Sequence, residues 1–177
     1  TIAKDKDMTG IKLTVTAGPT REKLDPVRFL SNNSTGKMGY AIAKMAMLRG
    51  ADVTLISGKV SLEPAPFVKM VDIVSAEDMY NAVIKSAKDV DIIIKAAAVA
   101  DYRPSDVSDE KIKKKDGDMS IPLERTKDII GTLGSSKRDG LFLCGFSMET
   151  EHMLENSKVK LTKKNLDMIV ANNVKVA

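Results

Sequence analysis

Glycines and hydroxyls run into a helical pattern at "SNNSTGKMG" (31–39), the first stretch of this 177-residue chain whose residue types could do chemistry. Backbone N–H groups at a helix N-terminus make an anion site, and small residues let a phosphate come close. The named phosphate loops fit poorly. A Walker A loop has glycine five places before its Gly-Lys pair and Ser or Thr after it, where this chain has Ser31 and Met38. A dinucleotide fingerprint needs G-x-G-x-x-G directly behind the first strand, but a long insertion separates Gly18 from Gly36. The second strand ends at Ser57-Gly58, with no acid for a ribose diol. Even so, "GKMGYAIAKMAMLRGADVTLI" echoes the helix of nicotinamide enzymes, which keeps an oxidoreductase as an alternative. The plain alternative is a capped helix start with surface asparagines.

Lysines supply the second kind of chemistry. "KIKKK" (111–115) is a solvated face by default, where each surface ion pair is worth only about 0–1 kcal/mol. On a flap over a polyphosphate the same charges matter more, since a unit pair at about 4 Å is worth roughly 4 kcal/mol at an effective dielectric of 20. Lys160 and Lys164 fall on one face of a C-terminal helix, with Glu149, Glu151 and Glu155 nearby. His152 has no triad context and reads as a surface histidine. Cys144 lies within an apolar strand and reads as a small core residue, and Met45, Met47 and Met70 read as packing.

The elements that must position these residues follow from pattern. Strands are expected at 12–16, 52–57, 67–74, 90–100, 141–146 and 166–173, and the run at 90–100 reads as buried on both faces. Helices are expected at 37–49, from a capping box at Ser75 and Asp78 through Ala87, at 127–136 and at 149–165. In the first helix Ala41, Ile42, Met45 and Leu48 share a face, and Gly50 stands where a C-terminal cap belongs. Strand–helix alternation predicts an α/β, Rossmann-like three-layer fold, a mostly parallel sheet with helices on both faces. Ligands then bind beyond the carboxyl ends of the strands, at 17–37, 95–115, 125–130 and 146–164. The polar segment 101–123 is long for a plain connection and reads as a flap at about 103–122. Residues 1–9 read as a tail or linker, and 10–177 as one domain.

Composition narrows the function. Hydrophobic residues at 43% and charged residues at 29% are globular values, and no apolar run approaches the roughly 18 residues of a membrane span. One cysteine and one histidine exclude an ordinary zinc site, and thiol-poor usage is compatible with the cytoplasm. A net charge of +4 with 4% aromatics and no tryptophan speaks against a nucleic-acid platform, and the local lysines suit small anions better.

Five segments in order resemble the bacterial phosphopantothenate–cysteine ligases of coenzyme A biosynthesis: "TAGPTRE" (16–22), "DPVRFLSNNSTGKMG" (25–39), "AAAVADYRP" (96–104), "KIKK" (111–114) and "KNLDMIVAN" (164–172). The resemblance implies a homodimeric, cytoplasmic enzyme that couples 4′-phosphopantothenate to cysteine with CTP and Mg²⁺, through an acyl-cytidylate. By the same resemblance Asn32 turns over the acyl-cytidylate, and the flap residue Lys111 contacts the nucleotide and assists activation. Arg28 and Ala98 match positions of the second half-reaction, Arg28 also near the family's dimer contact. Ala96, Ala97, Asp101, Lys127, Asp128, Ile129, Ile130, Phe146, Lys160 and Lys164 match nucleotide-binding positions. No metal ligand is assigned. The chain departs from the pattern at Asn33, often His in the family, and at Lys127, where the family has proline. Related domains continue beyond "VANN", and they are commonly fused behind a flavin-dependent decarboxylase. The C-terminal end is therefore expected to be missing. A non-catalytic nucleotide-binding module is the remaining alternative.

Overall fold

Leu13, Val15 and Ala17 alternate with Thr14 and Thr16 along the first strand, and all five are buried, as a strand covered on both faces requires. The threonines are satisfied: the Thr14 hydroxyl shares a 2.5 Å hydrogen bond with that of Ser86, and Thr16 Oγ1 accepts the Ala97 N–H at 3.1 Å. The computed structural model describes residues 5–114, 116–149 and 151–173. Its elements run β1 (Lys12–Ala17), β2 (Arg21–Lys23), β3 (Phe29–Ser31), α1 (Lys37–Leu48), β4 (Asp52–Ser57), β5 (Lys69–Asp72) and α2 (Ala76–Ser86). They continue with β6 (Ile92–Lys95), β7 (Tyr102–Pro104), β8 (Leu123–Arg125), α3 (Ile129–Ser135), β9 (Phe142–Glu149), α4 (Met153–Lys163) and β10 (Met168–Asn173).

Six strands form one sheet in the order β10-β9-β6-β1-β4-β5, and every pairing in it is parallel. The chain fills one side of β1 first, through β4 and β5, then returns through α2 to fill the other. The order thus reverses between β1 and β6, and the crevice beyond their carboxyl ends is the switch point where such sheets take ligands. Each sheet face has its own core. Ala43 and Ala46 of α1 pack with Leu13, Val15, Val53 and Leu55. Met79 and Val83 of α2 and Ile129 and Leu133 of α3 pack with Ile56, Ile93 and Leu143.

Several expectations need revision. The face of α1 that meets the sheet is centred on Gly39, Ala43 and Ala46, with Ile42 packed at its edge, and not on Ala41, Met45 and Leu48; Met45 is 42% exposed and is not core packing. Small residues win because the helix lies close: a Cβ on Gly39 would stand 2.6 Å from that of Ala17. The strand expected over 90–100 stops at Lys95, because 96–98 leaves the sheet to bond the turn after β1, Ala98 N–H donating to Gly18 O at 3.0 Å. The third strand shrinks to Lys69–Asp72, and Phe67 stands outside it at φ 66°, 93% exposed. The last helix begins only at Met153, since β9 extends to Glu149.

Two hairpins were not legible as strands. β2 pairs antiparallel with β3 inside the polar stretch after β1, and β7 with β8 at the base of the expected flap. The capping box is present, with the Ser75 hydroxyl accepting from Asp78 N–H and the Asp78 carboxylate from Ser75 N–H. Residues 6–9, read as tail, are tied to the end of α1: Met8 N–H donates to Arg49 O at 2.9 Å and Arg49 pairs with Asp7 at 2.6 Å. Residues 1–4 of that segment, Lys115 of the lysine run and the chain end at 174–177 lie outside the described residues.

Candidate functional site

At the switch point the chain assembles in space what it separates in sequence. Gly18, closing β1, and Gly36, the N-cap of α1, touch: a Cβ on Gly36 would lie 3.3 Å from Gly18 N. Both hold positive φ, 70° and 75°, which glycine adopts without strain. Hairpin β2–β3 is therefore a loop thrown out between two halves of a close strand-to-helix turn. α1 has no acid in its first turn and no cap from its N-cap side chain; Lys37 N–H donates to Thr35 Oγ1 at 3.5 Å, which leaves the next N–H groups available to an anion.

Asn32 follows this hairpin, and its Nδ2 donates to Ala98 O at 3.3 Å. That bond leaves one N–H and the carbonyl oxygen of the amide for a ligand. Asn32, Ala96, Ala97, Ala98 and Phe146 line one cavity of about 470 Å³, together with 33–39 at the start of α1 and with Ser147, Met148 and Asn172. Expectation placed Asn32 and Ala98 in catalysis and the others with the nucleotide, and the fold brings them together.

A second cavity, about 390 Å³, opens around Lys95, where β6 ends, and takes in Asp101, Lys127, Asp128, Ile129 and Lys164. Asp128 is held twice. One carboxylate oxygen caps α3 by accepting Gly131 N–H at 3.1 Å, and the other accepts Lys164 Nζ at 2.9 Å. Burial pushes its carboxyl up, but these donors outweigh burial and hold it below the usual range. Glycine makes the arrangement possible, since a Cβ on Gly134 would lie 1.9 Å from Lys164 O. Lys127 is committed elsewhere, to Glu77 at 2.7 Å and to the Tyr80 ring at 4.8 Å. Asp101 makes no side-chain hydrogen bond among the described residues. Lys160 lines neither cavity, but its Nζ donates to Ser147 Oγ at 3.2 Å on the wall of the first, and its charge is felt at Lys95 in the second. Ile130 is buried, its Cδ1 close over Gly145, and lines neither cavity.

Arg28 and Lys111 stand apart from both. They line a third cavity, of about 720 Å³, beneath the flap. The flap is latched there by a buried carboxylate: Asp25 accepts N–H groups of Val27 and Arg28 at 2.8 Å, the Arg28 guanidinium at 2.5–2.9 Å and Ile112 N–H at 3.2 Å. Arg28 also donates to Ile112 O at 2.9 Å. The Arg28 guanidinium is the main reason the Asp25 carboxyl sits well below the usual carboxylate range.

Sequence reasoning missed Lys95 and Asp25. Lys95 interrupts an apolar run, "IIIKAAAVA", and a charge at the carboxyl end of an apolar strand is a readable signal. Asp25 offered only the turn signal of Asp-Pro, which does not show that the flap returns to it. Cys144 is buried, with its thiol pushed up by burial, and His152 is exposed beside Glu155, as expected of both.

The fold is a doubly wound α/β domain with a lysine-rich cavity at its switch point. The chain belongs to the family of the DNA/pantothenate metabolism flavoprotein C-terminal domain, whose model matches residues 8–177. It is 46% identical over 172 residues to the coenzyme A biosynthesis bifunctional protein CoaBC of Haemophilus influenzae, covering 97% of this chain and 43% of that protein. With CoaBC of Bacillus subtilis it is 50% identical over 169 residues, covering 95% and 41%. The chain thus spans about two-fifths of the length of these relatives. A crystal structure of the C-terminal domain of CoaBC superposes with a TM-score of 0.85 at 49% identity, covering 95% of this chain and 80% of that one. Cab2 in complex with phosphopantothenate-cysteine, at 18% identity and a TM-score of 0.83, shares the fold.

Proposed function

We propose that this chain is a phosphopantothenate–cysteine ligase domain of coenzyme A biosynthesis, using CTP as co-substrate. What carries the reading is the placement of Asn32 against Ala98, at the start of α1 and beside a lysine-rich cavity, in a chain close to half identical to CoaBC. A carboxylate is a poor electrophile. Its oxygen attacks the α-phosphorus of CTP, the bond to the β-phosphate oxygen breaks, and pyrophosphate leaves. The cysteine amine then attacks the acyl carbon, gives up a proton, and CMP departs from the amide. The first step brings anions together, so positioning and neutralisation by fixed cations carry most of the catalysis.

In this reading Asn32 holds the acyl phosphate with the amide groups its bond to Ala98 leaves unused. Ala96, Ala97 and Ala98 let the ligand approach the backbone. Lys160 and Lys164 neutralise phosphate, while Asp128 orients Lys164 and Ile129 floors the cavity. Arg28 and Lys111 line a different cavity, so they reach the reacting groups by flap rearrangement or across a contact with a second protomer. The homodimer expected of the family belongs to the same proposal, as do the cytoplasmic setting and a native fusion to a decarboxylase. No helix among the described residues is long and apolar enough to cross a membrane.

Mg²⁺ prefers one or two carboxylates plus substrate phosphates to an all-protein cage. The residues fit that preference: no group of three acidic, Cys or His side chains converges among the described residues, and Asp101 lies in the cavity without a hydrogen-bonded partner. Asp101 is the residue to hold Mg²⁺, which supplies charge neutralisation on the triphosphate when bound. Thermal shift tests the nucleotide: Mg²⁺-CTP should raise the melting temperature and NADPH should not, because only a ligand of the native state stabilises it. The reverse result would favour the oxidoreductase.

A further inference from the structure

The Lys95 side chain makes no hydrogen bond or ion pair among the described residues, although the residue ends a core strand and lines a ligand-sized cavity. We propose that Lys95 is a further nucleotide-positioning residue, whose amine receives a phosphate of the bound nucleotide. The inference rests on the ligase reading and deepens it, since nothing in the family resemblance places a lysine in this role.

Three observations converge. First, the location is fixed: Lys95 pairs with Thr16 in the register of β1 and β6, at the switch point itself, one residue before the alanines that line the Asn32 cavity. Second, the surroundings want an anion. Lys160 and Lys164 reach Lys95 electrostatically from α4 and its C-cap, against Asp101 behind β6 and Asp128 ahead of α3. Asp128 is already spent on Lys164 and on capping α3, and Arg125 adds positive charge on the cavity wall, where Lys127 is paired with Glu77. Third, the amine lacks a partner. Burial, and then the Lys164 charge, push Lys95 below the ordinary lysine range, which weakens the hold of the empty site on the charged form. A phosphate arriving within hydrogen-bonding distance strengthens that hold. Between the free and bound titration points, binding must draw a proton from solvent, and nucleotide affinity must fall as pH rises through that window.

The test is calorimetric titration of Mg²⁺-CTP into the folded protein, in two buffers of different ionisation enthalpy, at several pH values below the ordinary lysine range. Wild type is compared with Lys95→Met and Lys95→Arg. Wild type should take up a proton that Lys95→Met does not, and Lys95→Met should bind about 10- to 100-fold more weakly, as for loss of one charge-assisted hydrogen bond. Lys95→Arg should recover affinity without proton uptake, because guanidinium stays protonated throughout. Lys95→Met should melt close to wild type, since the half-buried amine it removes makes no hydrogen bond or ion pair among the described residues. Equal affinity and equal proton uptake in wild type and Lys95→Met would overturn the proposal while leaving the ligase reading intact. Failure of folded wild type to bind CTP at all would overturn both.

Discussion

Two amides and a carboxylate decide how this site is held. The Asn32 amide donates to Ala98 O, a bond that an ionised aspartate cannot make. Asn32→Asp puts a negative charge where the acyl phosphate must sit, and quenched reactions should show acyl-cytidylate accumulating while amide product falls. No trapped intermediate would remove Asn32 from its turnover. Asp25 makes a separate prediction. Its carboxyl is lower in the folded chain than the roughly 3.9 of an unfolded aspartate, so it stabilises the fold above that value and loses the contribution as pH falls through its folded value. Asp25→Asn should therefore lower the melting temperature by a constant amount above about pH 5, with the gap closing in acid. Exchange of the Ile112 amide should rise in step, because Asp25 is its acceptor. An unchanged Ile112 amide would mean that the flap is not latched there.

Glycines set the distances between elements. Gly134 lets α3 meet the turn after α4, which carries Lys164 to Asp128. Gly134→Ala would press a methyl group against Lys164 O, costing about 1–3 kcal/mol of stability by overpacking. Nucleotide binding should weaken as well, because the Lys164–Asp128 pair moves. Wild-type stability in chemical denaturation would show that the turn yields without cost. The main elements were readable because each carries a period or a cap: β1 and β4 through β-branched runs, α2 through its capping box. The α1 face was misread because hydrophobicity favoured Met45 and Leu48, whereas close approach to Ala17 demanded Gly39 and Ala43. The hairpins escaped because three-residue strands such as Arg21–Lys23 and Leu123–Arg125 bury too little to show a period-two pattern.

Across the whole molecule, a modest net charge of +4 conceals a local concentration of lysine at the carboxyl end of the sheet. The parallel sheet and its switch point followed from strand–helix alternation alone. The roles of Asn32 and Lys111 did not: spacing gave a capped helix and a solvated lysine run, and the family resemblance made them site residues. Folding gathers Asn32, Ala96–Ala98 and Phe146 into one cavity and Asp101, Lys127–Ile129 and Lys164 into its neighbour, leaving Arg28 and Lys111 under the flap. The most direct test of this assembly as a ligase is pyrophosphate release with Mg²⁺ and 4′-phosphopantothenate, comparing CTP with ATP, with and without cysteine. The account predicts release with CTP, and CMP with an amide product once cysteine is added. Folded protein that binds CTP yet releases no pyrophosphate with either nucleotide would contradict it and leave a binding module.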